Sequence, residues 1–592
     1  MRRLIIIILC LFLGGLVFHR PSVAAEKFNT TINREYWLQG DLSVSVKESE
    51  TVRNNTTNLY IPSGSKKSFE ILAIELGADK NAAILQKTLA TVKLTYDGKP
   101  LSFSSSTESD RVVLSAAYPY SLEPGGSITF RLEYSHFGLM EQNGALKDFF
   151  INGFAKDSVF SDSSNTTTYS TDVFVPNSFE ETNFILPAPS KQDSQGGYIR
   201  ISFSQDSLID HYVWVQFGRT QYYKFVISQP IKSSERNNTG NQNRYEIIIP
   251  RDINGADIRQ SVFYTRISPE PEWVKQDENG NLVASFKLKS NFQGNIVLEG
   301  YAEINKFQDV NMGDFGMLSD IPNSYFVPYL QAAQFWEVDD PLIQQTSTQL
   351  NDARTNISDI VQTTYNYVVD RIDYSDVKRF GINERQGAVK TLQGGAAVCM
   401  EYSDLFLTLM RAQGVPTRAA FGYGYDPKES SDSQESHQWV EVYAPGYDNW
   451  VSVDVTWGEN GPALIGGDLN HFYTHVASIS PNNPPAITSY GFGNLELATS
   501  VYDINVVPNI PSGEKLSQQT ILEKYSYKES SLTTSLMDLT QSKLSATYSN
   551  LIHGEQLSSD QLVIVICLAA LSIAIVLVNF TFLKKIFLRV KK

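Results

Sequence analysis

The first half of the chain alternates short apolar and polar positions, which is the pattern of half-buried β-strands. Between about residues 27 and 305, runs such as SITFRLEYS, YIRISFS and RYEIIIP are rich in β-branched and aromatic residues. Turn-forming residues separate these runs, including the hairpin-type turn DENGN at positions 277–281. The spacing predicts two β-sandwich-like domains with a boundary near residue 145. A sandwich fold alone implies no activity, so spacer or binding module is the expectation here.

Around residue 320 the apolar positions change to a helical period. The segment ISDIVQTTYNYVVDRI has three- and four-residue spacing and a capping residue at Thr355 or Asn356, which predicts a helix. A second predicted helix runs from about Val398 to Gln413 and ends at Gly414. The runs AAFGYGY, QWVEVYA and NWVSVDVTW then predict a small antiparallel sheet. Helices followed by strands describe an α+β domain.

Both ends of the chain carry features of export and membrane anchoring. Residues 1–25 have a basic start, an apolar stretch and small residues at a cleavage site, which predicts a signal peptide, with an uncleaved anchor as the alternative. Residues 562–583 are almost wholly apolar and long enough to cross a bilayer as a helix. Lysine and arginine residues follow, and such an excess marks the cytoplasmic side. We therefore expect a single-pass cell-membrane protein with its N-terminal ectodomain outside and its C-terminus in the cytoplasm.

The predicted organisation is multidomain, and a Ser/Thr-rich stretch before the membrane span predicts a stalk. The predicted segments are a signal peptide (1–25), a β-sandwich-like domain (26–145), a second one (146–305), the α+β domain (306–490), a stalk (491–561), a transmembrane helix (562–583) and a basic cytoplasmic tail (584–592).

Charge and cysteine usage narrow the possible functions. The formal net charge is −15 and the basic cluster lies in the C-terminal tail, so nucleic acid is not an expected partner. Of the three cysteines, Cys10 lies in the predicted signal peptide and Cys567 in the predicted span. Cys399 is left as the single thiol of the ectodomain, and an internal disulfide is impossible. It is therefore either a small buried hydrophobe or a reactive group.

The residues that follow Cys399 favour a reactive group. Cys399 lies near the start of its predicted helix, where unpaired backbone N–H groups favour a thiolate. His437 and Asp454 come later in the order nucleophile, base and orienting carboxylate. If residues 444–447 form a four-residue hairpin loop, His437 lies directly opposite Asp454, at about 5 Å between Cβ atoms. Both then share one face of the hairpin, and the valines of these strands lie on the other face, toward the core.

These segments carry a family resemblance. VCMEYSDLFLTLMRAQGVPTRAAFGYGY, HQWVEVY and NWVSVDVTWG resemble, in order and spacing, the transglutaminase-like core of papain-type cysteine enzymes. The resemblance implies that Cys399 is the nucleophile, His437 the general base and acid, and Asp454 the residue that orients the imidazole. One departure is Ala397, which stands where the family usually has glycine.

Other residues are candidates for a role in the predicted site. The Cys399 backbone N–H is the natural oxyanion donor, and Gln393 is a second candidate because papain-like relatives place a glutamine there. Tyr402, Trp439 and Trp457 are candidates for the lining of a substrate cleft, although a structural role is the alternative for each. His471 and His475 lie four residues apart, but no third ligand is near them in sequence. We therefore predict no metal and no organic cofactor.

The expected function is acyl transfer on protein or peptide amides through a thioester intermediate. Water would make the protein a peptidase or amidase, and an amine acceptor would make it a transamidase. The sequence leaves this choice, the substrate and the host open. The alternative from another class is a non-catalytic surface protein in which the α+β domain is a scaffold and the β domains bind or form structure.

Overall fold

The computed structural model describes most of the region between the two predicted membrane-directed ends. The described residues are 28–72, 78–107, 111–153, 165–209, 211–232, 242–289, 292–322, 326–381, 384–425, 436–457, 464–478, 487–490 and 500–527. The predicted signal peptide, transmembrane helix and basic tail lie outside these residues. Among the helices within them, none has both the length and the apolar character that a membrane span requires.

The N-terminal unit is built from strands β1 to β15 and one helix. Helix α1 spans Ala78–Leu89, and the strands are β1 (Phe28–Leu38), β2 (Val44–Asn54), β3 (Lys66–Leu72), β4 (Lys93–Tyr96), β5 (Lys99–Pro100), β6 (Phe103–Thr107), β7 (Arg111–Ala117), β8 (Ser127–His136), β9 (Met140–Asn143), β10 (Leu146–Asn152), β11 (Asn165–Pro176), β12 (Thr182–Leu186), β13 (Lys191–Gln195), β14 (Tyr198–Phe203) and β15 (Tyr212–Phe217). An eight-stranded sheet has the order β13-β14-β11-β1-β2-β8-β4-β5, and smaller sheets β12-β15-β10-β9 and β3-β7-β6 accompany it.

Alternating burial explains these strands. In β8 the side chains of Ile128, Phe130 and Leu132 are buried, and the intervening positions are exposed or half-buried. The eight-stranded sheet contributes to two separate hydrophobic cores. One also contains residues of β10 and β15, and the other contains these β8 side chains together with residues of β3, β7 and α1. The predicted β-rich character of this part is therefore confirmed.

The boundary predicted near residue 145 falls inside this unit. Strand β1 pairs in parallel with β11, so strands from both sides of residue 145 share the eight-stranded sheet. The polar stretch around Arg219 instead precedes the strands of the next unit. Local alternation of apolar residues shows where strands lie but not which distant strands pair.

The second unit is a sandwich of two sheets. Its strands are β16 (Thr220–Lys232), β17 (Gln242–Ile249), β18 (Ile253–Asn254), β19 (Ile258–Ser268), β20 (Trp273–Gln276), β21 (Leu282–Lys289), β22 (Gln293–Lys306), β28 (Ile487–Tyr490), β29 (Val501–Val507) and β30 (Leu516–Ser517). One sheet has the order β18-β19-β22-β16-β29, with β30 paired to β19, and the other has the order β20-β21-β17-β28. Aromatic residues such as Tyr223, Phe225 and Tyr264 fill the core between them.

Part of the predicted stalk belongs to this sandwich. Strand β29 pairs with β16 from Tyr222 to Ser228, and helix α7 (Gln518–Lys524) buries Ile521 in the same core. The described part of the segment 491–561 is thus folded structure, because the chain returns to the second unit after it completes the third. The Ser/Thr-rich run on which the stalk prediction rests begins at residue 527 and lies almost wholly outside the described residues.

The third unit has helices first and a sheet afterwards, as predicted. Its helices are α2 (Pro341–Asn351), α3 (Ile357–Arg371), α4 (Asp376–Arg379), α5 (Ala388–Leu392) and α6 (Cys399–Ala412), and its strands are β23 (Thr417–Gly424), β24 (Ser436–Ala444), β25 (Asn449–Asp454), β26 (Leu464–Ile465) and β27 (His471–Ala477). The antiparallel sheet has the order β26-β25-β24-β23-β27. The Asn356 side chain accepts a hydrogen bond from the Ser358 N–H at 2.9 Å, so the predicted cap of α3 is present.

Helix α6 lies at the centre of this unit. It contacts α2, α3, α5, β23 and β24, and Leu405, Phe406 and Leu409 on it are fully buried. The sheet turns its valines, including Val440 and Val453, toward this helix, and they share one core with it. The expected valine face is therefore confirmed. The result is a rigid support for the first turn of α6, where Cys399 lies.

An internal ion pair holds α6 in place. Asp404 on α6 is fully buried and accepts hydrogen bonds from Arg385 Nε at 2.7 Å, Trp336 Nε1 at 2.8 Å and Gln438 Nε2 at 3.1 Å. We expect Arg385→Met to lower the free energy of unfolding by about 3 kcal/mol, because it leaves a buried carboxylate without its cation. Denaturant unfolding followed by tryptophan fluorescence measures the change.

The matched control is Arg266→Met. Arg266 pairs with Glu299 at 2.9 Å, but its side chain is 55% exposed. An exposed pair of this kind contributes about 1 kcal/mol or less. Equal small effects of the two substitutions would show that the Arg385 pair does not hold the helix.

Candidate active site

Cys399 is the first residue of α6. Val398 before it is extended, with φ −129° and ψ −172°, and its N–H donates to Glu401 Oε2 at 3.1 Å. Glu401 therefore caps the helix, and its other oxygen pairs with Lys378 Nζ at 2.7 Å. The thiol is partly exposed. At this position the Cys399 N–H belongs to the helix donors that have no partner inside the helix, so it can face a negatively charged oxygen.

The hairpin of β24 and β25 differs in register from the prediction. Ala444 pairs with Asn449 and Val440 with Val453, so the turn is residues 445–448 rather than 444–447. His437 is consequently displaced by two residues from the position opposite Asp454. Because the shift is two residues, both side chains remain on the same face.

His437 and Asp454 meet in spite of this shift. The distance from His437 Nε2 to Asp454 Oδ2 is 2.8 Å. The same imidazole is hydrogen-bonded to the Cys399 thiol. Since Nε2 faces the carboxylate, the remaining nitrogen Nδ1 is the one available to the thiol. The structure thus brings together the three residues that the sequence singles out.

Asp454 is saturated with hydrogen-bond donors. Its Oδ2 also lies 3.0 Å from His471 Nε2, and its Oδ1 accepts from the backbone N–H groups of Thr456 at 2.9 Å and Trp457 at 3.2 Å. Burial raises the pKa of Asp454, but the charge and hydrogen bond of His437, followed by those of His471, hold that pKa well below its usual value. Asp454 is therefore a carboxylate at neutral pH.

The same interactions favour a charged imidazole at His437. Burial lowers its pKa, but the Asp454 charge and hydrogen bond, together with the interaction with Cys399, raise the pKa of His437 to about 10. An imidazolium beside a thiol is the arrangement that activates cysteine nucleophiles at neutral pH.

His471 and Asp468 are site residues that sequence reasoning missed. His471 begins β27, on the far side of the sheet from β25, and its Nδ1 lies 2.6 Å from Asp468 Oδ1. In sequence, His471 is a candidate metal ligand only together with His475, four residues later. In the structure His475 instead stacks on Phe421 with ring centroids 4.7 Å apart. The spacing Asp-Leu-Asn-His at residues 468–471 was the available signal, and it is weak.

Burial and a nearby arginine set His475 apart from His471. Burial, and then the positive charge of Arg251, lower the pKa of His475 to about 4. Burial also opposes a charge on His471, but the charge of Asp468 and the hydrogen bonds with Asp454 and Asp468 raise the pKa of His471 to about 9. Two histidines of one strand therefore have opposite preferences.

A glycine in the strand between them lets the two imidazoles approach each other. On β23, Gly424 pairs with His471, and Gly422 pairs with His437 on β24. A Cβ atom at Gly424 would lie 3.2 Å from the His437 ring and 3.1 Å from Trp457. The rings of His437 and His471 are 5.4 Å apart, beside this gap in the middle strand.

The predicted cleft residues are mostly interior. Tyr402 is fully buried and donates to the Ile372 carbonyl at 2.8 Å, and Trp439 is 1% exposed and packs on Tyr473. Neither lines an open cleft, because Tyr402 lies in the core around α6 and Trp439 packs on the other face of the sheet with Ile253 and Tyr473. Trp457 is half-buried and stacks on His437, with ring centroids 5.6 Å apart. Of the three, Trp457 is the one placed to face a substrate.

Gln393 lies at the C-cap of α5 and is exposed. Gly394 follows with φ +99° and turns the chain toward Cys399. The segment before the thiol is held instead by Gln386 Nε2, which donates to the Ala396 carbonyl at 2.7 Å. The role of Gln393 as an oxyanion donor stays a prediction.

The two imidazoles and the carboxylate lie close enough together to suggest a metal site. One ligand atom each from His437, Asp454 and His471 lies within 4.8 Å of the others. The contacts of 2.8 and 3.0 Å have hydrogen-bond lengths, and hydrogen bonds account for each of these atoms. We therefore assign them as a hydrogen-bonded chain and not as metal ligands.

Comparison with known proteins shows which family this unit resembles. The sequence model of the transglutaminase-like superfamily matches residues 344–455. These residues include Cys399, His437 and Asp454. No curated protein matches the chain.

Several solved structures resemble parts of the chain at low identity. A candidate cysteine protease from Cytophaga hutchinsonii is 14% identical with a TM-score of 0.35, over 50% of this chain and 93% of that chain. A candidate protease from Parabacteroides distasonis is 10% identical with a TM-score of 0.18, over 76% of this chain and 72% of that chain. An M1 zinc metallopeptidase from Deinococcus radiodurans is 12% identical with a TM-score of 0.19, over 36% and 47% of the two chains. These scores are too low to support an argument about function.

Proposed function

Because the chain contains a transglutaminase-like domain, we propose that it is a cysteine enzyme that transfers or hydrolyses acyl groups of protein or peptide amides. Cys399 is the nucleophile, His437 the general base and acid, and Asp454 the orienting carboxylate. The observation that carries the proposal is the chain of hydrogen bonds from Cys399 through His437 to Asp454, with 2.8 Å between His437 Nε2 and Asp454 Oδ2. All three residues lie in the segment that matches the family model, and this supports the assignment.

The proposed reaction has two steps. The Cys399 thiolate attacks the amide carbonyl carbon, a C–S bond forms, and the carbonyl electron pair moves to oxygen, facing the Cys399 N–H. The C–N bond then breaks as the leaving amine takes a proton from His437. Water or an amine next attacks the thioester and gives its proton to His437, and the thiolate leaves. Peptidase and transamidase differ only in this last acceptor.

The proposal includes export and anchoring. The apolar residues 562–583 and the basic residues after them support a single C-terminal span with a cytoplasmic tail, and residues 1–25 support export. In this arrangement the site faces the outside of the cell, where its substrates are surface or extracellular proteins or peptides.

The test uses the full-length chain and a peptide amide that carries a thiol-reactive group. Folded protein is expected to be labelled at Cys399 faster than denatured protein, and His437→Gln removes the preference. The matched control is His475→Gln, on the same sheet but outside the hydrogen-bonded chain. Equal labelling of folded and denatured protein would favour the non-catalytic scaffold and end the proposal.

A peptide-library reaction with and without added amines then assigns the acceptor. Cleavage products alone indicate a peptidase, and amine-linked products indicate a transamidase. Cys399→Ala is the blank for both readouts.

A further inference from the structure

One buried histidine beside the proposed triad contacts two carboxylates. His471 Nδ1 lies 2.6 Å from Asp468 Oδ1, and His471 Nε2 lies 3.0 Å from Asp454 Oδ2. The ring is also enclosed by Trp439 and Trp457, with ring centroids 4.7 and 4.6 Å away. His471 is buried, and so are both acids.

Counting protons shows what these contacts require. A carboxylate offers only acceptors, so each of these two contacts needs a hydrogen on the imidazole nitrogen. A neutral imidazole has one N–H, and an imidazolium has two. Asp454 already accepts from His437 and from two backbone N–H groups, which stabilises its ionised form. Asp468 Oδ1 accepts from the Asn470 N–H at 2.8 Å, which leaves it an acceptor as well.

Two further titratable groups lie near His471, and the positive charge of His437 opposes a second one there, so the two acids must outweigh it. Besides the two acids, His437 faces it from β24 at 5.4 Å between ring centroids, and Tyr223 of β16 interacts with Asp468. With an imidazolium at His471, the groups alternate in sign from His437 through Asp454 and His471 to Asp468. With a neutral imidazole at His471, the ring would lie between two buried carboxylates and would not compensate their negative charge.

We propose that His471 is a doubly protonated positioning residue. Asp468 holds it in place, and it shares the Asp454 carboxylate with His437. In this way His471 fixes the orientation of the carboxylate. Its effect on turnover rests on the proposed function, whereas its protonation state does not. Asp454 Oδ2 lies between two imidazoles, so it cannot rotate toward one without losing the other. His471 touches no reacting atom, and it acts on His437 through Asp454.

The first experiment measures the protonation state directly. The full-length chain has seven histidines, and ¹⁵N-histidine labelling with NMR distinguishes protonated from unprotonated ring nitrogens. His471→Gln and His475→Gln assign the two resonances by their loss. Between pH 6 and pH 8 we expect both nitrogens of His471 to carry hydrogen, and only one nitrogen of His475. A single protonated nitrogen on His471 at pH 7 would overturn the proposal.

A second variant separates charge from shape. Asp468→Asn keeps an oxygen that can accept from His471 Nδ1 but removes the negative charge. We expect the second proton of His471 to be lost at lower pH in this variant than in the unmodified chain. An unchanged titration would show that Asp468 does not hold the charge. Circular dichroism checks that the variants are folded.

The kinetic experiment tests the positioning role. We expect His471→Gln to lower kcat by about 10²-fold with little change in KM, because a small misplacement of a reacting group has an effect of this size. His475→Gln is expected to leave both constants unchanged. Unchanged kcat in a folded His471→Gln variant would refute the positioning role. If the unmodified chain shows neither turnover nor Cys399 labelling, the proposed function fails, and the NMR result still decides the state of His471.

Discussion

Replacement of His437 by glutamine is expected to lower amide turnover by about 10⁴-fold, as the loss of a triad member does in other enzymes. The imidazole supplies both the proton for the leaving amine and the base for the second step, and glutamine can do neither. Alkylation of Cys399 at pH 7 is expected to fall by only about 30-fold, because a thiol without an imidazolium partner still has a few per cent of thiolate. The two rates are measured by product analysis and by the mass of the labelled peptide.

The contrast between the two rates is the decisive feature. Cys399→Ala should abolish both, and His475→Gln should preserve both. A His437→Gln variant that retains turnover would show that another group moves the proton.

The pH dependence follows from the direction of the His437 shift. Its pKa in the folded protein is about 10, above the usual 6.5, so the imidazolium is present throughout the neutral range and is lost as the pH rises through about 10. Turnover that needs this proton should therefore persist in mildly alkaline buffer and decline near pH 10.

Asp454→Asn is expected to have the largest effect on stability, about 3 kcal/mol or more in the free energy of unfolding. The carboxylate accepts from four N–H groups, and an asparagine must turn an NH₂ group toward one pair of these donors. The variant also leaves His437 and His471 without their shared negative charge. Thermal and denaturant unfolding measure the loss, and the exposed Asp503→Asn is the control, with an expected change within about 0.5 kcal/mol.

The difference in the free energy of unfolding between Asp454→Asn and the unmodified chain should decrease both at low pH and at high pH. The depressed pKa of Asp454 contributes stability above the usual carboxyl pKa, and that contribution is lost as the pH falls. The raised pKa values of His437 and His471 contribute stability that is complete below 6.5 and is lost as the pH rises through about 9 to 10. The difference should be largest near pH 6, and a difference that grows toward pH 10 would contradict this assignment.

Local signals explain what the sequence could predict. Helix α3 begins after the cap Asn356, and α6 ends before Gly414, whose φ of +83° suits glycine. Both helices lie within one residue of their predicted ends, because caps and terminators act within one turn. The placement of Cys399 near the start of α6 rested instead on the short glycine- and alanine-rich run before it, residues 394–397.

Long-range pairing explains what the sequence could not predict. The hairpin register was wrong by two residues because Pro445 begins a 3₁₀ turn that places the loop one residue later. The face assignment of His437 and Asp454 survived because parity is unchanged by an even shift. His471 was missed as a partner of Asp454 because β27 joins the sheet beside β23, and nothing local in its sequence shows that neighbour.

Gly424 allows the two histidines of the site to interact across the middle strand of the sheet. His437 and His471 belong to strands on opposite sides of β23, and they approach each other over a residue that has no side chain. The charged groups of the site therefore interact across β23, between strands that are distant in sequence. A sliding or splaying of β27 away from β23 would disconnect the thiol's partners from Asp468 while leaving the helix and the hairpin intact.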